Sequence, residues 1–217
     1  NLGPVAGLLG ASALCTDYVL NVAVATSAGV GAIVSVIPAL LPHTLALCLA
    51  ILLFLTVLNL RDIRTVGMAF IAPTYAFVAC LGIAIAIGVV RSLTSHGHPV
   101  PAVPPATPAP AAAGVGIWLL MRAFASGCTA MTGVEAVSNA VPLFREPRVP
   151  LARWTLAMIV VMLAFLLGGV AWLVRGYHIA ATPPGEAGYQ SVLSQMVAAV
   201  AGRGAFYYAT MTAVLAV

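Results

Sequence analysis

Charge is what this sequence has least of. Only 6% of its 217 residues are Asp, Glu, Lys or Arg, and lysine is absent altogether. A water-soluble domain carries about a quarter of its residues as charges, so the chain has too little polar surface to face water and lipid must be its main solvent. The nine basic residues are all arginine and lie singly between apolar stretches. With no basic face or stripe, nucleic-acid binding is excluded as a function class. Cysteine is also scarce: Cys15, Cys48, Cys80 and Cys128 each sit in an apolar run, without metal-ligand spacing, and read as small packing residues. The chain opens on Asn1 with no charged leader and small-residue cleavage site behind it, so the natural start is expected to lie upstream.

What the chain has in abundance is apolar length: 62% of its residues are hydrophobic. Five runs are long enough to span a bilayer, over residues 2–37, 43–58, 66–90, 115–141 and 151–174. The first is too long for an upright span and too short for two, which predicts one steeply tilted helix followed by a tight turn between Pro38 and Pro42. Pro73 falls inside the third run and should kink that helix rather than end it. A sixth run, residues 205–217, would reach about 20 Å and stop inside the membrane. Just before it, Gln190 to Ala201 alternates polar and apolar residues at helical spacing, which predicts a short helix lying at the surface. The whole chain, 1–217, thus reads as a single all-α, polytopic transmembrane domain.

Arginines in short loops mark the cytoplasmic side. Residues 59–65 carry Arg61 and Arg64, and residues 144–153 carry Arg145, Arg148 and Arg153, whereas the alternate loops hold only Arg91, Arg175 and Arg203. The start of the chain and the two short loops are therefore expected inside. The Pro- and Ala-rich stretch 91–114 reads as a stiff outer connection with little chemistry, and its His96 and His98 as solvated side chains rather than metal ligands. No cofactor or metal is expected.

Ionisable side chains inside a bilayer are costly and usually face a bundle interior or a water-filled path. Asp17, Glu135 and Arg122 qualify. Asp17 and Asn21 share a helix face at i and i+4, and Ala25 and Gly29 extend it with small residues, making one wall of a polar cleft; a structural pair that glues two helices is the alternative. Tyr18 could donate its hydroxyl to a ligand or fill a helix crossing. Glu135 stands in Gly127-Cys128-Thr129-Ala130-Met131-Thr132-Gly133-Val134-Glu135, where two glycines and two threonines weaken a span beside a carboxylate. That is the composition of a discontinuous transporter helix, with a break expected between Ser126 and Val134; a plain span with a glycine packing face is the alternative. Arg122 is nearer the end of its run and reads as snorkelling to the interface. It lies about 20 Å along a helix from Glu135, too far for a direct pair. Lacking a basic neighbour in sequence, Glu135 suits the loading and release of a proton.

The stretch from Thr132-Gly133-Val134-Glu135-Ala136-Val137-Ser138-Asn139 through Pro142-Leu143-Phe144-Arg145-Glu146-Pro147 resembles the sixth helix and following loop of permeases of the amino acid–polyamine–organocation superfamily. Asp17-Tyr18-Val19-Leu20 is similar to their third helix, and Asn59-Leu60-Arg61 fits the loop between. Within the superfamily the resemblance is to KimA-type proton-coupled potassium importers and the amino acid permeases beside them. It covers nearly the whole chain and implies a partial LeuT-type fold of inverted five-helix repeats, from the third helix to the first half of the eighth. It further implies Asp17, Tyr18, Asn21, Thr129, Thr132 and Gly133 as substrate or ion-binding positions and Glu135 as the proton-coupling residue. Asn21 and Ala25 stand where the potassium importers would have hydroxyls, which keeps amino acids and polyamines beside potassium as substrates. The expected partners are the lipid bilayer, a small-molecule or ion substrate and a coupling proton, in a multi-pass protein of the cell membrane, with a homodimer left open. A non-transporting scaffold or sensor would need no intramembrane carboxylates, and no His, Cys or Ser cluster has catalytic spacing, so an enzyme is not expected.

Overall fold

A computed structural model of the chain describes residues 3–60, 63–97, 99–106, 116–129, 134, 137–138, 141, 146–186 and 188–217. All regular structure among them is helical. The elements are α1 (Pro4–Val36), a 3₁₀ turn (Pro38–His43), α2 (Thr44–Asn59), α3 (Ile63–Thr94), α4 (Ile117–Thr129), α5 (Arg148–Gly176), α6 (Val192–Ala201) and α7 (Ala205–Ala216). Among the described residues, four stretches are long and apolar enough to cross a membrane: Pro4–Val36, Pro38–Leu58, Phe70–Thr94 and Arg148–Gly176. In such a solvent every backbone group must find its partner within the segment, which only a helix achieves without neighbours.

The first run is a single helix of 33 residues, opened by Pro4 and closed where Ile37 leaves the helical region before Pro38. Pro73 does not end α3. Hydroxyls in the helices turn back onto their own backbone: Thr16 Oγ1 donates to the Ser12 carbonyl at 2.9 Å, Thr26 to Val22 at 2.8 Å and Thr74 to Phe70 at 2.7 Å. This satisfies each hydroxyl without a partner from outside the helix, so such residues are tolerated in apolar spans.

The chain groups into two compact units, residues 1–109 with 170–217, and residues 110–169. In the first, α7 packs on α1 and α3, α6 packs on α1, α3 and α7, and α2 lies against α1. The core of this unit is α6. Residues Ser194 to Val200 are all buried, and Met196, Val197, Ala199 and Val200 are fully so. The surface helix expected from the polar–apolar alternation is therefore corrected: the polar residues of α6 are hydrogen-bonded inside protein rather than turned to water. Close approach is possible because Gly88 of α3 leaves room for Leu173 and Val200; a Cβ there would stand 2.6 Å from one Leu173 methyl carbon and 3.0 Å from a Val200 methyl carbon.

The second unit contains α4 and the greater part of α5. Along α5, Trp154, Met158, Val161 and Phe165 recur at helical spacing on an exposed apolar stripe. The helix α4 is regular as far as Thr129. The rest of the stretch where a break is expected, 130–133, lies outside the described residues.

Candidate functional site

Asp17 and Asn21 sit midway along α1, where the one-turn spacing sets their side chains one above the other. Asn21 Nδ2 donates to Asp17 Oδ2 at 2.8 Å. Asp17 lies about 18 Å and Asn21 about 12 Å along the helix from Gly29, where α1 is buried and faces Leu215 of α7 at 3.7 Å from the position of a Cβ. Small residues at Ala25 and Gly29 thus continue a face that begins with the carboxylate and ends in a helix crossing. Asp17 is exposed and Asn21 half-buried, and Tyr18 is 40% exposed on the adjoining face. An oriented carboxylate oxygen with its second oxygen available can accept from or coordinate a small cation.

Thr129 is the last residue of α4, and Thr132, Gly133 and Glu135 lie outside the described residues. The candidates on α1 belong to the first unit and those after α4 to the second. Arg122 is exposed on α4, with its carbonyl accepting from Ser126 Oγ at 3.0 Å. Among the described residues the one ion pair is Arg148 Nε to Glu146 Oε1 at 3.0 Å, both exposed, and no three His, Cys, Asp or Glu side chains gather as a metal site.

Among the described residues, a further polar network surrounds α6. Ser35, in the last turn of α1, donates to the Gly31 carbonyl at 2.6 Å and accepts the Ser191 N–H at 2.8 Å. Ser191 in turn caps α6, its side chain accepting from Ser194 N at 3.2 Å. Ser194 Oγ pairs with Tyr207 OH at 2.7 Å. Arg91, in the last turn of α3, donates from Nη1 to the Val200 carbonyl at 2.6 Å, satisfying a carbonyl at the end of α6. The connection after α3 is also engaged, since Ala102 N donates to the Ala199 carbonyl at 2.8 Å. Sequence reasoning misses this network because its partners are far apart along the chain; the serine just ahead of the apolar run 192–201 is the one local signal. Tyr177, directly after α5, is buried with the one hydroxyl among the described buried polar atoms that has no hydrogen-bond partner. Burial raises the pKa of that hydroxyl above the ordinary tyrosine value, with Arg91 opposing the rise.

The family model described as amino acid permease matches residues 1–217. The chain is also similar to the potassium transporter KimA of Bacillus subtilis (strain 168), with 39% identity over 209 residues, which cover 96% of this chain. The chain spans 33% of that relative's length. A match over its full length, joined to four helices apolar enough to cross a bilayer, makes the chain a membrane protein of the amino acid permease family, within the amino acid–polyamine–organocation superfamily.

Proposed function

We propose that the protein is a secondary active transporter, not an enzyme, which takes up a small cation or zwitterion across the cell membrane, driven by the free energy of a proton gradient. The observation that carries this reading is the Asp17–Asn21 pair in the middle of a membrane-length helix, in a chain 39% identical to a relative named a potassium transporter. A carboxylate at that depth is costly unless it faces a polar path. Potassium is the first candidate solute and an amino acid the second.

In this reading the 217 residues form part of one multi-pass transmembrane domain. The C-terminal ends of α1 and α3 and the N-terminal end of α7 meet α6, and Leu173 near the C-terminal end of α5 and Val200 of α6 both approach Gly88 of α3. Such a meeting supports alternate in-and-out passes, with residues 59–65 and 144–151 on the cytoplasmic side. Asp17, Tyr18, Asn21, Thr129, Thr132 and Gly133 are the substrate or ion-binding positions, and Glu135 carries the coupling proton.

The test is uptake by proteoliposomes containing the protein as its gene encodes it, offered labelled rubidium as a potassium surrogate or labelled amino acids. Accumulation of rubidium that is blocked by excess potassium supports the reading. Accumulation of an amino acid indifferent to potassium selects the second candidate, and accumulation of neither refutes transport of both.

A further inference from the structure

Two stretches of chain that leave the long helices separately, one after α3 and one after α5, meet on one buried amide. Gln195 of α6 is 2% exposed. Its Oε1 accepts the Ala106 N–H at 3.2 Å, and its Nε2 donates to the Ala180 carbonyl at 3.0 Å and the Gln190 carbonyl at 3.1 Å. Ala106 belongs to the connection after α3, and Ala180 and Gln190 to the two ends of the connection between α5 and α6. The partners settle which end of the amide is which, because a backbone N–H needs an acceptor and two carbonyls need a donor.

Each of these segments has a further tie to α6, the connection through Ser191, which caps that helix. The strap 99–106 has the Ala102–Ala199 bond. The connection 177–191 is closed on itself by Thr182, whose Oγ1 donates to the Gln190 carbonyl at 2.8 Å and accepts the Gln190 N–H at 3.0 Å. An apolar residue of the same length at 195 would fill the core equally well. It would leave the half-buried Ala106 N–H and Ala180 carbonyl without this partner, and a polar group kept from water and left unpaired is the expensive way to lose a hydrogen bond.

We infer that Gln195 is the positioning residue of a cap: it fastens the strap 99–106 and the connection 177–191 to α6, so that the three behave as one body over the ends of α1, α3, α5 and α7. The consequence for uptake rests on the transport reading, since a solute that crosses between those helices passes this body. The existence of the cap does not.

The experiment uses the full protein in proteoliposomes, with native cysteines replaced by alanine and one probe introduced at a time, Val103→Cys in the strap or Ile179→Cys in the connection. An impermeant maleimide reads their exposure. With Gln195 intact the probe at buried position 179 labels slowly, and the probe at half-buried position 103 sets a basal rate. In Gln195→Met both rates rise together by at least about fivefold, the factor that one lost buried hydrogen bond contributes to a local opening. Gln195→Glu supplies a readout that packing alone would not move. Its neutral carboxyl can both accept and donate, whereas its charged form cannot donate and resists burial. Measured against the Gln195 protein at the same pH, which removes the thiol's own pH dependence toward maleimide, both probes are therefore protected at acid pH and exposed at alkaline pH in that variant, and this comparison also serves if Gln195→Met does not fold. Unchanged labelling in Gln195→Met, a rise at one probe alone, or labelling of Gln195→Glu that stands in the same ratio to the Gln195 protein at both pH values overturns the inference. Absence of uptake by the unaltered protein counts against the transport reading, while the labelling rates alone decide whether the cap exists.

Discussion

Asn21 Nδ2 stands 2.8 Å from Asp17 Oδ2, one turn apart on α1. The amide fixes one carboxylate oxygen, and in the proposed transport reading the other meets the solute. Replacing Asp17 by Asn removes the charge, whereas replacing Asn21 by Ala removes only the orientation. The concentration dependence of uptake should therefore show Asp17→Asn weakening apparent affinity by at least about tenfold, equivalent to about 1.4 kcal/mol, and Asn21→Ala by less. Equal affinities for all three proteins would assign the pair to helix packing.

Gly88 and Gly82 make a controlled pair on α3. A Cβ at Gly88 would meet two Leu173 methyl carbons at 2.6 and 2.8 Å, whereas one at Gly82 has nothing within 4 Å. Leu173 is fully buried and cannot swing clear. Gly88→Ala should destabilise the purified protein by about 1–3 kcal/mol, as overpacking does. Gly82→Ala should be neutral or stabilise by up to about 1 kcal/mol through helix propensity. Thermal unfolding midpoints in detergent decide the order.

Gly31 of α1 meets Tyr189 differently. Its Cβ would lie 2.8 Å from the tyrosine hydroxyl and 3.5 Å from the nearest ring carbon. Only the oxygen is in the way. Gly31→Ala should lower the melting temperature, and adding Tyr189→Phe should restore most of the loss, a non-additivity that a double-mutant cycle measures.

Tyr177 offers a pH-dependent test. Its hydroxyl is buried without a hydrogen-bond partner, and burial raises its pKa, with Arg91 opposing. A raised folded-state pKa means that the neutral form is favoured by folding, so this stability is fully present below the unfolded value, about 10, and is lost as pH climbs through the folded one. Tyr177→Phe removes an unsatisfied group and should keep or raise stability at neutral pH. The tyrosine protein should also lose more stability than the phenylalanine variant when unfolding is followed above pH ~10.

The helices are legible in the sequence because lipid demands long apolar runs, and Pro38 and Pro42 mark the turn after α1. The Asp17–Asn21 pair is legible for the same reason that it forms, one helical turn of spacing. The place of α6 is not. Its Ser194 and Gln195 look like a wetted face until their partners are known, and those partners, Tyr207, Ala106, Ala180 and Gln190, come from other segments. Likewise Arg91 reads as an outer-loop charge, while its bond to Val200 joins residues 109 positions apart. Local periodicity carries no information about such a partner. Glu135 and Thr132 rest on the family likeness and on their sequence neighbours alone.

Proton coupling through Glu135 stands or falls on rubidium accumulation by proteoliposomes under an imposed pH gradient, comparing the unaltered protein with Glu135→Gln, alongside rubidium binding to each in the absence of a gradient. The unaltered protein should accumulate rubidium when the gradient is imposed. In Glu135→Gln that accumulation should be abolished while binding is largely spared. Undiminished accumulation by Glu135→Gln would show that this carboxylate does not carry the proton and would move the search for the coupling group to Asp17.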